Sequence, residues 1–96
     1  MQKYRSSSKH TIKISWRPIS PVIWLCYILF TDSDEKTGIV YSVRITKHTL
    51  GCERKETVTF PDIAGCEKCA RRIFRLLVRG RVTPYAADEV MESILE

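Results

Sequence analysis

The sequence predicts an α+β fold: a four-stranded antiparallel sheet followed by two C-terminal helices packed on one face. Three observations predict it. Residues 11–60 hold four apolar-rich stretches suited to strands, joined by short polar links. From residue 61 the apolar period lengthens to about 3.6. Both helical stretches then carry their own boundary signals. A chain of 96 residues supports one hydrophobic core. It divides into a flexible basic arm over residues 1–9, with a run of three serines, and a single α+β domain over residues 10–96.

The first strand is "TIKISWR", where Ile12, Ile14 and Trp16 alternate with Lys13, Ser15 and Arg17. "PISP" is expected to end it, because proline cannot donate to a ladder. The second strand, "VIWLCYILF", is apolar on both faces, as a central or covered strand must be. "TDSDEKTG" reads as a polar turn. "IVYSVRITK" alternates again, with Ile39, Tyr41, Val43 and Ile45 opposed by Ser42, Arg44 and Thr46. Gly51 serves the next turn, and "ETVTF" forms a short fourth strand with Val58 and Phe60 inward. Consecutive strands with short links pair antiparallel.

In the first helix Cys66, Cys69, Ala70, Ile73, Phe74 and Leu77 share one side, and Gly80 is expected to cap its end. The second helix opens at Thr83, a good N-cap, followed by Pro84 at the first helical position. Its inner stripe is Ala86, Val90 and Ile94, widened by Ala87, Met91 and Leu95.

The apolar run at residues 18–30 is shorter than the roughly 20 residues a spanning helix needs, and it ends in "TDSDEK" without a small-residue cleavage site. A buried strand in a cytoplasmic protein with no membrane partner accounts for it. Cys26, Cys52, Cys66 and Cys69 are then expected to be reduced thiols.

The segments "YSVRI", "VTFPDIAGCEKCARRIFRLL" and "VTPYAADEVMESILE" resemble a small family of short uncharacterised proteins, a domain of unknown function, from Clostridia-type Gram-positive bacteria. The resemblance covers about residues 24–96. Pro84, Glu89, Val90, Glu92 and Leu95 match the family's closing helix, whereas its usual histidine and leucine are Ala86 and Ala87 here. The resemblance implies a bacterial cytosolic protein and supplies no activity.

Cys66 and Cys69 permit three readings. As small apolar residues on the helix's inner stripe they belong to the core, and this is the reading the periodicity favours. With His48 and Cys52 they offer a zinc set, H-x3-C then C-x2-C. Strand geometry opposes that set, because the fourth strand carries the chain roughly 20 Å from the turn that holds His48 and Cys52. As a C-x-x-C pair at a helix start they suit redox chemistry, but without the surrounding sequence of a thioredoxin-like motif.

The other pattern is basic. Lys68, Arg71, Arg72, Arg75 and Arg79 occupy a stripe about 100° wide on the first helix, opposite its apolar side. Such a stripe suits a phosphate backbone, with Lys3, Arg5, Lys9 and Lys13 as further contacts. It is also what a solvated helix face looks like, and Asp88, Glu89, Glu92 and Glu96 of the second helix are placed to neutralise it. The aromatic residues Trp16, Trp24, Tyr27 and Tyr41 sit in strands, where packing is the default and no stacking set is expected.

No base–nucleophile constellation or phosphate-cradling glycine loop is present in the sequence, so a non-catalytic role is expected. The first expectation is an interaction module, pairing with a protein partner or with itself as a homodimer. Two helices cover one sheet face, and Ile23, Leu25, Tyr27 and Leu29 are the candidate exposed set of the second strand. Nucleic-acid binding by the arginine stripe is the alternative, and the zinc module a further one.

Overall fold

The sheet is built around β2 (Ile23–Asp34), whose side chains are apolar on both faces for most of its length. The computed structural model describes residues 9–34 and 38–95. Residues 1–8 of the predicted arm and part of the polar turn lie outside that range. β2 pairs antiparallel with β1 (Lys9–Ser20) on one side and β3 (Gly38–Thr49) on the other, and β4 (Glu56–Phe60) completes the order β1-β2-β3-β4. α1 (Glu67–Arg79) lies over β2 and β3, and α2 (Pro84–Leu95) over β3 and β4. The predicted layout is the one found.

The strands run longer than their apolar patterns. β1 begins at Lys9, so Lys9 belongs to the sheet and not to the arm. It also continues through Pro18, which pairs with Trp24; an edge strand tolerates the missing N–H, and the register shifts between Pro18 and Ser20. A second irregularity at Ile12, between the pairs Thr11–Phe30 and Lys13–Leu29, brings Ile12 against the core while Ile14 and Trp16 face the other way.

The largest correction concerns β2. Leu25, Tyr27 and Leu29, expected on the exposed interaction face, are each 0% exposed and form the floor beneath the helices. Ile23 is half-buried at the strand's start. The open face carries the alternate set, Trp24, Cys26, Ile28 and Phe30. A strand without a polar face gives no local sign of which side the helices take. Register decides it: Val43 stands opposite Leu29, and Ile45 opposite Tyr27. The apolar side of amphipathic β3 thus selects the buried side of β2.

Ile63, Ala70, Ile73, Phe74, Leu77, Val78, Ala87 and Met91 close the core from above. α1 ends with Gly80 at its C-cap in the right-handed region. The left-handed position falls on Arg81, at φ 49°. The Arg81 amide donates to the Val78 carbonyl (3.1 Å) and the Val82 amide to the Leu77 carbonyl (3.2 Å), so two otherwise orphaned carbonyls are satisfied. α2 starts as expected, with the Ala86 amide donating to Thr83 Oγ1 at 3.3 Å. Among the described residues, no helix is long and apolar enough to cross a membrane.

Tyr27 joins the two layers. Its hydroxyl donates to the Val82 carbonyl at 2.9 Å, in the link between the helices. Burial pushes the phenol up to about 12 from 10.0, against the opposing pull of Arg17 and Arg81. Ionisation is therefore harder in the folded state, and stability is full below about pH 10 and falls as pH rises toward 12. Tyr27→Phe is expected to cost about 1–2 kcal/mol at neutral pH, because it leaves the Val82 carbonyl unpaired. Urea unfolding at neutral pH and near pH 11 checks both effects, since the difference between the proteins narrows in alkali.

Candidate functional site

The middle and last turns of α1 and the middle of β1 face each other across a narrow trough. α1 lies over β2 and β3, so it meets β1 only with its flank. The inward side of β1 consequently escapes burial under the helix. Its residues there are Lys13, Ser15 and Arg17, opposite Leu29, Tyr27 and Leu25. Across from them stand Arg71 and Arg75, with Phe74 and Val78 as the apolar floor. These residues enclose about 130 Å³. Among the described residues the lining contains four cationic side chains and no carboxylate.

Arg81 extends the same edge, since it and Arg17 both act on the Tyr27 hydroxyl. Lys68, Arg72 and Arg79 are exposed on the outer side of α1. The stripe read from the sequence is therefore divided: Arg71 and Arg75 line the trough, and the other three point into solvent. Glu67 pairs with Arg71 on the helix surface, at 2.7 Å between Nε and Oε2. That interaction orients the guanidinium without placing an acid in the trough.

Ion pairing of the arginines with Asp88, Glu89 or Glu92 of α2 is not found among the described residues. Among the described residues the ion pairs are Arg71–Glu67 and Lys47–Glu56, and none joins the helices. Asp88 and Glu92 lie beside Phe60 of β4 and Glu89 beside Leu76 of α1, while Arg71 and Arg75 border β1. Asp88 and Glu92 are thus on the β4 side of the helix layer and the trough on its β1 side.

The opposite sheet face also departs from expectation. Ile14 and Trp16 are 52% and 53% exposed, and the Trp16 indole lies against the His48 imidazole with ring centroids 5.3 Å apart. Trp16 is therefore an exposed aromatic, not a core residue. Nearby, the Arg44 guanidinium sits 5.1 Å from the Phe30 ring centroid and the Lys9 ammonium 5.9 Å from it. Among the described residues no helix covers this face, yet Phe30 is buried beneath these long side chains and Cys26 is buried as well.

The four zinc candidates are not brought together. His48 lies on the open face of β3, and Cys52 is exposed in the turn beyond Thr49. The chain then returns along β3 through β4, and the Ile63 amide donates to the Tyr41 carbonyl at 2.8 Å before α1 begins. Cys66 and Cys69 start α1 beyond that point. Among the described residues, no group of three His, Cys, Asp or Glu side chains is placed to hold a metal ion.

Cys66 and Cys69 are also not core residues: both are exposed. Phe74 and Val78 take the buried positions on the β1 side of α1, which rotates the inner stripe away from Cys69. Cys66 is the N-cap, outside the helical turn. Cys26 is the buried thiol, and burial raises its pKa.

No family model, curated protein or solved structure matches this chain. The functional reading therefore rests on its own residues. Arg17 and Arg81 are members of the basic edge that the helical wheel missed. A signal for Arg17 lay in the alternation of β1, which sets it opposite Trp16. Arg81 lies beyond the helical period and had none.

Arg81 holds its left-handed backbone without being glycine. Arg81→Gly is expected to raise stability by about 0.5–1 kcal/mol while removing one charge from the edge. Thermal unfolding checks the first effect, and a salt titration of polyanion binding the second.

Proposed function

We propose that this chain is a small non-catalytic cytosolic protein that binds the phosphate backbone of nucleic acid along its β1–α1 edge. The observation that supports the reading is the acid-free trough in which Lys13 and Arg17 face Arg71 and Arg75. Four cations held near one another repel, and an anion entering between them relieves that repulsion. Phosphates of a strand following the edge would lie along the trough, with Arg72, Arg79 and Arg81 on its shoulders. Contacts of this kind position a strand without reading its bases, so affinity is expected to depend weakly on sequence and strongly on salt.

A second reading is favoured by a separate observation, the adjacent exposure of Ile14 and Trp16 on the open sheet face. A second copy of this chain meeting that face would bury both side chains. The two readings are compatible, because β1 turns its basic residues and its apolar ones in opposite directions.

Anisotropy of labelled oligonucleotides is expected to show binding at low salt that weakens steeply as salt rises. The combined change Arg71→Gln, Arg72→Gln, Arg75→Gln and Arg79→Gln abolishes it with the fold intact by circular dichroism. Lys13→Gln with Arg17→Gln lowers the slope of log K against log salt by about 1.5. Absence of binding at low salt, or binding unchanged in the fourfold variant, refutes the reading. For the open face, light scattering should report a dimer that Trp16→Ser with Ile14→Lys converts to monomer. A monomeric parent protein at high concentration rules self-association out.

A further inference from the structure

The start of α1 holds a feature that neither the basic edge nor the open face uses. Cys66 occupies the N-cap in an extended conformation (φ −150°, ψ 163°), and Cys69 falls at the third helical position. This is the spacing at which a side chain reaches back to the N-cap. Here both groups are thiols, and both are in solvent. One residue stands at the cap and the other in the first helical turn, with two residues between them.

The surroundings divide the two thiols into distinct roles. No cap hydrogen bond of full geometry closes onto Cys66. The Cys69 amide, then the Cys69 thiol and the Lys68 amide, hold the Cys66 thiol below the ordinary cysteine value, with a smaller contribution from the Lys68 charge. Cys69 is displaced the other way, chiefly because its proton is shared with Cys66 and a charge on Cys66 opposes a second one. Arg72 and Lys68 are the cations acting on Cys69. The neighbouring carboxylate, Glu67, is engaged by Arg71 at 2.7 Å. Cys66, at the cap outside the first helical turn, is thus set to attack and Cys69, within that turn, to follow.

We propose that Cys66 and Cys69 form a redox-active dithiol that exchanges with low-molecular-weight disulfides to give an internal Cys66–Cys69 disulfide. The Cys66 thiolate attacks one sulfur of a disulfide RSSR. The S–S bond breaks, RS⁻ departs and takes a proton from water, and a Cys66–S–SR mixed disulfide remains. Cys69 then gives its proton to solvent, and its thiolate attacks the Cys66 sulfur. The Cys66–Cys69 bond forms and the second RS⁻ leaves, to be protonated in turn. Two protein thiols lose two electrons and two protons, and RSSR gains them as two RSH. Cys26, buried under the open face, and Cys52, distant in the β3–β4 turn, take no part. The inference is independent of nucleic-acid binding.

The test uses the full chain incubated with graded ratios of oxidised and reduced glutathione, quenched with acid and analysed by mass spectrometry. The expected product has lost two hydrogens, and cleavage after Lys68 leaves the flanking peptides joined through Cys66 and Cys69. Cys69→Ser should instead accumulate glutathione on Cys66, whereas Cys66→Ser should leave Cys69 no more reactive than Cys52. Iodoacetamide should alkylate Cys66 several-fold faster than Cys52 at neutral pH, an advantage that disappears in alkali. Equal alkylation rates, or a stable mixed or intermolecular disulfide in place of the internal one on the unsubstituted chain, overturn the proposal.

Discussion

The hydrogen bond from the Tyr27 hydroxyl to the Val82 carbonyl is the contact on which the layer arrangement depends. Tyr27 is wholly buried in the middle of β2, and Val82 follows the left-handed turn that ends α1. A buried phenol must find a partner, and a carbonyl freed at a helix end must find a donor. Joining the two ties the end of α1 to the middle of the sheet. The same link places Leu77 and Val82 in one cluster with Leu25 and Leu29. With α1 held over β2 and β3, its flank stops short of covering β1.

The basic edge follows from that offset. Had α1 lain over β1, Lys13 and Arg17 would have entered a dry interface, where unpaired charges are strongly unfavourable. At the helix flank they keep their hydration, and so do Arg71 and Arg75. Placement of α2 over β3 and β4 carries Asp88 and Glu92 toward β4, away from β1. The resulting separation of charge is more informative than the net +5, because a net charge says nothing of where an anion would meet the surface.

The cysteines show how the same residue type takes its chemistry from its surroundings. Cys26 lies buried in the sheet, and burial disfavours its thiolate. Cys66, at a helix start in solvent, is favoured as thiolate by nearby amides and by Cys69. Neither outcome is a property of cysteine spacing alone. A C-x-x-C on a helix whose buried stripe included both positions would have been inert packing.

Most of the architecture was legible along the chain. Alternation in β1, β3 and β4, the change of period after residue 60, and Thr83-Pro84 at the start of α2 are local signals, and local signals survive without knowledge of partners. The Lys68 and arginine stripe was legible for the same reason. Which side of β2 faces the helices was not, because an all-apolar strand looks alike from both sides and only its register with Val43 and Ile45 tells them apart. The position of Cys69 was lost because a helical wheel fixes angles but not which arc of the helix touches the sheet; Phe74 and Val78 decided that. Trp16 was misplaced because an amphipathic edge strand can turn its apolar side away from the helices. The sequence by itself determined the elements and their order, since those depend on near neighbours. Tertiary structure decided which faces meet, and with them the basic trough, the exposed Trp16 and the solvent-facing thiols, because each arises from contacts between residues far apart in the chain.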